Sequence, residues 1–62
     1  MDRHEAFMGD DGAWGVECQG AVLYEADFTR AQAEALADME NSDNPPKDWE
    51  EAERRLKRMG LL

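Results

Sequence analysis

"WGVECQGAVLYEADF", residues 14–28, decides the fold of this chain. Two short runs rich in β-branched and aromatic residues flank Gln19-Gly20, and glycine accepts the positive φ that a two-residue hairpin turn needs. The pattern predicts antiparallel strands over residues 13–18 and 21–26. A tight turn at Gln19-Gly20 sets Cys18 opposite Ala21, Val16 opposite Leu23 and Trp14 opposite Glu25. Cross-strand partners share a face of the sheet. One face is then apolar, formed by Trp14, Val16, Cys18, Ala21 and Leu23. The other holds Gly15, Glu17, Val22 and Tyr24. A lone two-stranded hairpin is marginal in water, so the apolar face must lean on something else in the chain.

Upstream, "HEAFM" at residues 4–8 runs into "GDDG", a Gly- and Asp-rich reversal. This adds a third strand and predicts an antiparallel meander. Downstream, "DFTRAQAEALADMEN" carries helix-start signals. Thr29 and Gln32 have the spacing of a capping box, in which each side chain bonds the other's free backbone N–H. Alanines at 31, 33, 35 and 37 favour helix. A helix over about 29–40 places Ala33, Ala35, Leu36 and Met39 on one side, with Glu34 and Asp38 opposite. Asn44-Pro45-Pro46 ends it, because proline lacks an N–H and restricts the residue before it.

A second helix over about 47–59 is the best-marked element. Asp48 and Glu51 form another expected capping box. Trp49, Ala52, Leu56 and Met59 share a stripe that is expected to be core. Glu50–Arg54, Glu51–Arg55 and Glu53–Lys57 are i,i+4 pairs in the favourable order, each contributing ~0.2–0.5 kcal/mol. Gly60 is the natural residue to leave the helix, with Leu61 packing back on its last turn. The fold expected is α+β, βββαα or ββαα, as a single domain over residues 1–62. Leu36, Met39, Trp49, Leu56 and Met59 are expected to cover one face of the meander, leaving the other without a covering element.

Fifteen acids against seven bases give a net charge of −8, and they are unevenly placed. Residues 1–46 hold eleven acids with only Arg3 and Arg30, whereas residues 47–62 hold four acids and five bases. Nucleic-acid binding rests on Lys and Arg neutralising phosphates, and attraction to anionic membranes needs basic clusters. Neither is expected; a basic protein partner is. The single cysteine, Cys18, allows no internal disulfide, and the charged start "MDRHEAFM" has no apolar signal region after it. A cytoplasmic location is expected.

No catalytic motif is present. His4 and Cys18 are the only histidine and cysteine, too few for a zinc site of three or four such ligands. Asp10-Asp11-Gly12 lacks the alternating oxygen ligands and closing glutamate of a calcium loop. No metal and no cofactor are expected, and the chain is read as a non-enzyme. The basic "RRLKRMG" end is largely compensated by glutamates one turn earlier, with Arg58 alone lacking one.

The residues expected to meet a partner are Glu34 and Asp38 on the outer side of the first helix, Glu17 and Glu25 from the hairpin, and Val22 and Tyr24 as exposed apolar anchors. Tyrosine suits such a role because it joins a large apolar area to a polar tip. In size, acidity and lack of catalytic motifs the chain resembles small phage-encoded inhibitors, including anti-CRISPR proteins. That resemblance of general profile implies an inhibitor that occupies a basic, nucleic-acid-handling protein surface by imitating DNA. A monomer or weak homodimer is expected. The alternative is an accessory or structural subunit that self-associates or caps a larger assembly through an apolar hairpin face.

Overall fold

The computed structural model describes residues 3–62; residues 1 and 2 of the expected domain lie outside it. Strands β1 (His4–Met8), β2 (Trp14–Cys18) and β3 (Ala21–Phe28) form one antiparallel sheet in the order β1-β2-β3, followed by helices α1 (Arg30–Asn41) and α2 (Trp49–Arg58). This is the expected βββαα, α+β arrangement.

Local chemistry explains each boundary. Gln19 and Gly20 both take positive φ, 53° and 83°, the geometry whose twist matches that of flanking strands. The Gly9–Ala13 reversal closes with the Gly9 N–H donating to the Ala13 carbonyl at 2.7 Å. In the same turn the Asp11 carboxylate accepts from the Ala13 N–H at 3.1 Å, so its role there is to shape the turn. Thr29 and Gln32 form the complete capping box. Asp48 caps α2 by accepting from the Glu51 N–H at 3.0 Å. The return bond differs from expectation: Glu51 reaches one residue further back and accepts from the Lys47 N–H at 2.7 Å. At the other end Gly60, at φ 80°, lets the Gly60 and Leu61 N–H groups bond the carbonyls of Lys57 and Leu56, a Schellman closure.

The core is small. Val16, Ala33, Leu36, Ala37, Met39, Ala52 and Leu56 are buried, and Ala6, Trp14, Tyr24, Phe28, Ala35 and Leu61 pack against them. Helix α1 lies across all three strands and α2 packs on α1. The buried alanines of α1 allow this close approach. Gln32 also ties the two ends of the helical layer together, its side-chain amide donating to the Leu61 carbonyl.

Three expectations are corrected. The β2–β3 ladder is not regular: Glu17 pairs with Val22, Val16 with Tyr24, Gly15 with Glu25 and Trp14 with Phe28. Leu23 is an extra residue between the Val22 and Tyr24 pairs, and Ala26-Asp27 add a second irregularity. Because side chains alternate along a strand, one inserted residue turns the following ones over to the opposite face. Leu23 is therefore exposed rather than core, and Tyr24 takes the inward place opposite Val16.

The second correction concerns Trp49. It is 40 % exposed and forms the rim of the core, its ring tilted against Tyr24 at 5.9 Å and Phe28 at 5.6 Å between centroids. Met59, the residue that caps the C-terminus of α2, is also exposed. The third concerns ion pairs. Glu51–Arg55 and Glu53–Lys57 form at 3.1 and 3.7 Å, but no ion pair joins Glu50 to Arg54.

Candidate functional site

The helices cover only one face of the sheet. Read across the ladder, the uncovered face carries Glu5, Glu17 and Val22 in one row and Phe7, Gly15 and Glu25 in the next. Glu5 and Glu17 stand directly opposite each other, a like-charge pairing that costs stability in an antiparallel sheet. The Phe7 ring lies against Gly15: a methyl group added at Gly15 would sit 3.1 Å from two atoms of that ring. The centre of the face is thus an aromatic plate with carboxylates around it. At one side of the plate a shallow recess of about 210 Å³ is lined by residues including Ala13, Glu25, Ala26 and Asp27. None of the three strands contains a lysine or arginine.

The six residues expected to meet a partner do not form one patch. Glu17, Glu25 and Val22 share the open sheet face, with Val22 50 % exposed. Glu34 and Asp38 are exposed on α1 and line a groove of about 550 Å³ beside β1, together with His4, Trp14, Arg30 and Asn41. Glu34 is paired there with Arg30 at 3.3 Å, and the Arg30 guanidinium also lies 5.7 Å from the centre of the Trp14 ring. Glu34, one of the two carboxylates expected on the outer side of the helix, therefore already has a cation beside it.

Tyr24 lies apart from the other five. It is half-buried on the helical side, where its hydroxyl donates to Glu40 Oε1 at 2.8 Å. Burial, reinforced by that hydrogen bond and by the charges of Glu40 and Asp48, pushes the phenol up to about 12. The folded state thus holds its proton above the ordinary value of about 10. Stability from this group is fully present below that ordinary value and is lost as pH rises from about 10 to about 12. Tyr24 is the only tyrosine, so phenolate absorbance reads it directly. We expect a titration midpoint near 12 that moves down in Glu40→Gln but stays above that of free tyrosine, since burial is the larger cause. A midpoint at the free-tyrosine value in the folded wild type would contradict the inward placement.

Phe7 was the residue missed. The signal for it was present: with "GDDG" as a reversal, Met8 falls opposite Trp14 and Phe7 opposite Gly15, a cross-strand aromatic–glycine pair. His4 and Cys18 are cross-strand partners, but no group of three His, Cys, Asp or Glu side chains able to hold a metal gathers among the described residues. Asn41 holds His4 in another way. Its side-chain amide accepts from the His4 backbone N–H at 2.7 Å and donates to the His4 carbonyl at 2.9 Å. This imitates a neighbouring strand and closes the outer edge of β1 at that residue, one of the ways in which edge strands are shielded from pairing with other chains.

No helix among the described residues is long and apolar enough to cross a membrane. No protein-family model matches the chain, and neither a curated protein nor a solved structure shows significant similarity to it.

Proposed function

We propose that this chain is a non-enzymatic binding protein that lays its open sheet face on a basic surface of a protein partner. The observation that carries the reading is that face itself: Glu5, Glu17 and Glu25 surround Phe7 and Val22, on strands with no lysine or arginine. Acidic side chains there steer a cationic partner and suppress wrong ones. An aromatic plate at the centre supplies the apolar contact on which protein interfaces concentrate their energy. Basic protein surfaces commonly serve to hold nucleic acid, so occupying one excludes nucleic acid and inhibits. This is the DNA-mimicking logic of the phage-encoded inhibitors whose general profile the chain resembles.

The partner is to be identified by capture on the immobilised chain from its source cell, with mass spectrometry of what is retained. Calorimetry against that partner then tests the face. Glu17→Lys with Glu25→Lys is expected to weaken binding roughly 100-fold at low salt, because like charges meeting across an interface cost several kcal/mol. The fold is expected to persist, since Glu17→Lys replaces a like-charge pair with Glu5 by an opposite-charge one. Glu34→Lys with Asp38→Lys is expected to weaken binding far less. Wild-type affinity in the sheet-face variant would remove the proposal. Binding indifferent to salt would favour the accessory-subunit reading, in which exposed Val22 and Leu23 mediate self-association, because charge-driven docking is screened by salt.

A further inference from the structure

The helical layer, on the side away from the acidic sheet face, carries a feature of opposite sign. Arg54, Arg55 and Arg58 line an open groove of about 670 Å³ with Asn44, Glu51 and Met59. Arg55 is fixed in place: it donates to the Asn44 carbonyl at 2.8 Å through Nη1 and to Glu51 Oε1 at 3.1 Å through Nη2. Both Glu51 oxygens are engaged, one by Arg55 and one by the Lys47 N–H. These bonds hold its carboxyl below the usual carboxylate range, so it remains an anion and offsets one of the three guanidinium charges. Arg54 and Arg58 have no ion pair among the described residues. They are one helical turn apart, ~6 Å along the axis, and both are exposed, pointing away from buried Ala52 and Leu56.

Cations in the last turn of a helix are ordinarily explained by the helix dipole, and Arg55, Lys57 and Arg58 fit that account. Arg54 does not: it precedes the last turn, pairs with no carboxylate and lies exposed. The carbonyls of Leu56 and Lys57, which would repel an anion at this end, are taken by the Leu61 and Gly60 N–H groups. What remains is a groove with two guanidinium forks open and a third held ready beside them. Guanidinium forks match phosphate oxygens in bidentate geometry.

We infer that this groove is a binding site for a compact phosphate anion, gripped by Arg54 and Arg58 with Arg55 as the fixed third wall. The net charge left in the groove suits a dianion. A nucleic-acid strand does not suit it. A polyanion extending beyond the groove runs onto a chain whose residues 1–46 hold eleven acids and two bases, and like charges repel it there.

The test is a two-dimensional amide and guanidinium NMR titration of the full chain with pyrophosphate, holding ionic strength constant with sodium chloride. Saturable shifts are expected at Asn44 and at the side chains of Arg54, Arg55 and Arg58. Arg54→Gln with Arg58→Gln is expected to weaken binding by roughly tenfold or more, given the strength of charge-assisted forks. Lys57→Gln, on the same helix but paired with Glu53, is expected to change it by less than about twofold, as an exposed ion pair does. A short single-stranded oligonucleotide is expected to bind more weakly than pyrophosphate. Each single-arginine variant is measured alongside the double, so that a folding failure in one does not remove the comparison. Absence of saturation, equal losses in the lysine and double-arginine variants, or tighter arginine-dependent binding of the oligonucleotide would each overturn the site.

Discussion

Leu36→Ala is expected to remove about half of the stability of this chain. Among the described residues only Leu36, Leu56 and Val16 are large side chains removed completely from solvent, so one substitution deletes a third of these groups. Truncating a buried leucine costs ~2–5 kcal/mol, through lost transfer energy and the cavity left behind. At ~0.05–0.15 kcal/mol per residue, a chain this short has ~3–9 kcal/mol of total stability. The loss is a large share of that total, so a steep fall in the urea midpoint is the expected result. The comparison that gives this meaning is Trp49→Ala. A fully buried tryptophan would cost ~3–5 kcal/mol on truncation, but Trp49 keeps 40 % of its surface in solvent and contacts Tyr24 and Phe28 at the edge of the core. Its loss is expected to cost less than Leu36→Ala, because truncation at an open rim leaves no closed cavity behind. A Trp49→Ala variant less stable than Leu36→Ala, by urea denaturation, would show that the aromatic rim holds the two layers together more than the leucines do.

The contrast between these residues also shows what was legible in the sequence. Caps, turns and helix faces are local, and local chemistry placed them: Thr29 with Gln32, Asp48, Gln19-Gly20 and Gly60 all sit where their backbone roles require. The register of β3 is not local. Val22, Leu23 and Tyr24 form an unbroken apolar run, so alternation alone cannot say which of them faces inward. The choice is made elsewhere. Glu40 accepts the Tyr24 hydroxyl and Trp49 supplies a ring for it to lie against, and a bulge at Leu23 turns Tyr24 toward both. No glycine marks that bulge. The same limit governs the charges. The i,i+4 spacing of Glu50 and Arg54 permits an ion pair without requiring one. Glu34, expected to meet a partner, has a partner within the chain four residues earlier in Arg30. Of the expected contact set, Glu17, Glu25 and Val22 remain together. Phe7 joins them because β1 brings it there, from a segment whose register the hairpin did not define.

Gly15→Ala is the second large effect, and it bears directly on the open face. Gly15 is not among the residues with positive φ, so its backbone does not demand glycine; the space around it does. A methyl group at this position would stand 2.5 Å from the Tyr24 carbonyl oxygen and 3.1 Å from two atoms of the Phe7 ring. The ring can swing aside, but the carbonyl belongs to the paired neighbouring strand and moves only if the β2–β3 ladder opens. Overpacking of this kind costs ~1–3 kcal/mol and occasionally more, and a backbone obstacle puts it at the top of that range. For a domain this size a loss of ~3 kcal/mol lowers the melting temperature by roughly 10–20 °C. Two variants separate the causes. Phe7→Ala alone is expected to be milder, because it uncovers Gly15 without moving the backbone. Gly15→Ala combined with Phe7→Ala is expected to remain nearly as unstable as Gly15→Ala, because the carbonyl obstacle persists. Full recovery in the double variant would mean that the ring alone excludes the methyl group. Phe7→Ala, if folded, then isolates the aromatic plate from the acids around it. Under the proposed function it should weaken partner binding at every salt concentration alike, whereas Glu17→Lys with Glu25→Lys weakens it most at low salt. Unchanged affinity in folded Phe7→Ala would assign the contact to the carboxylates alone.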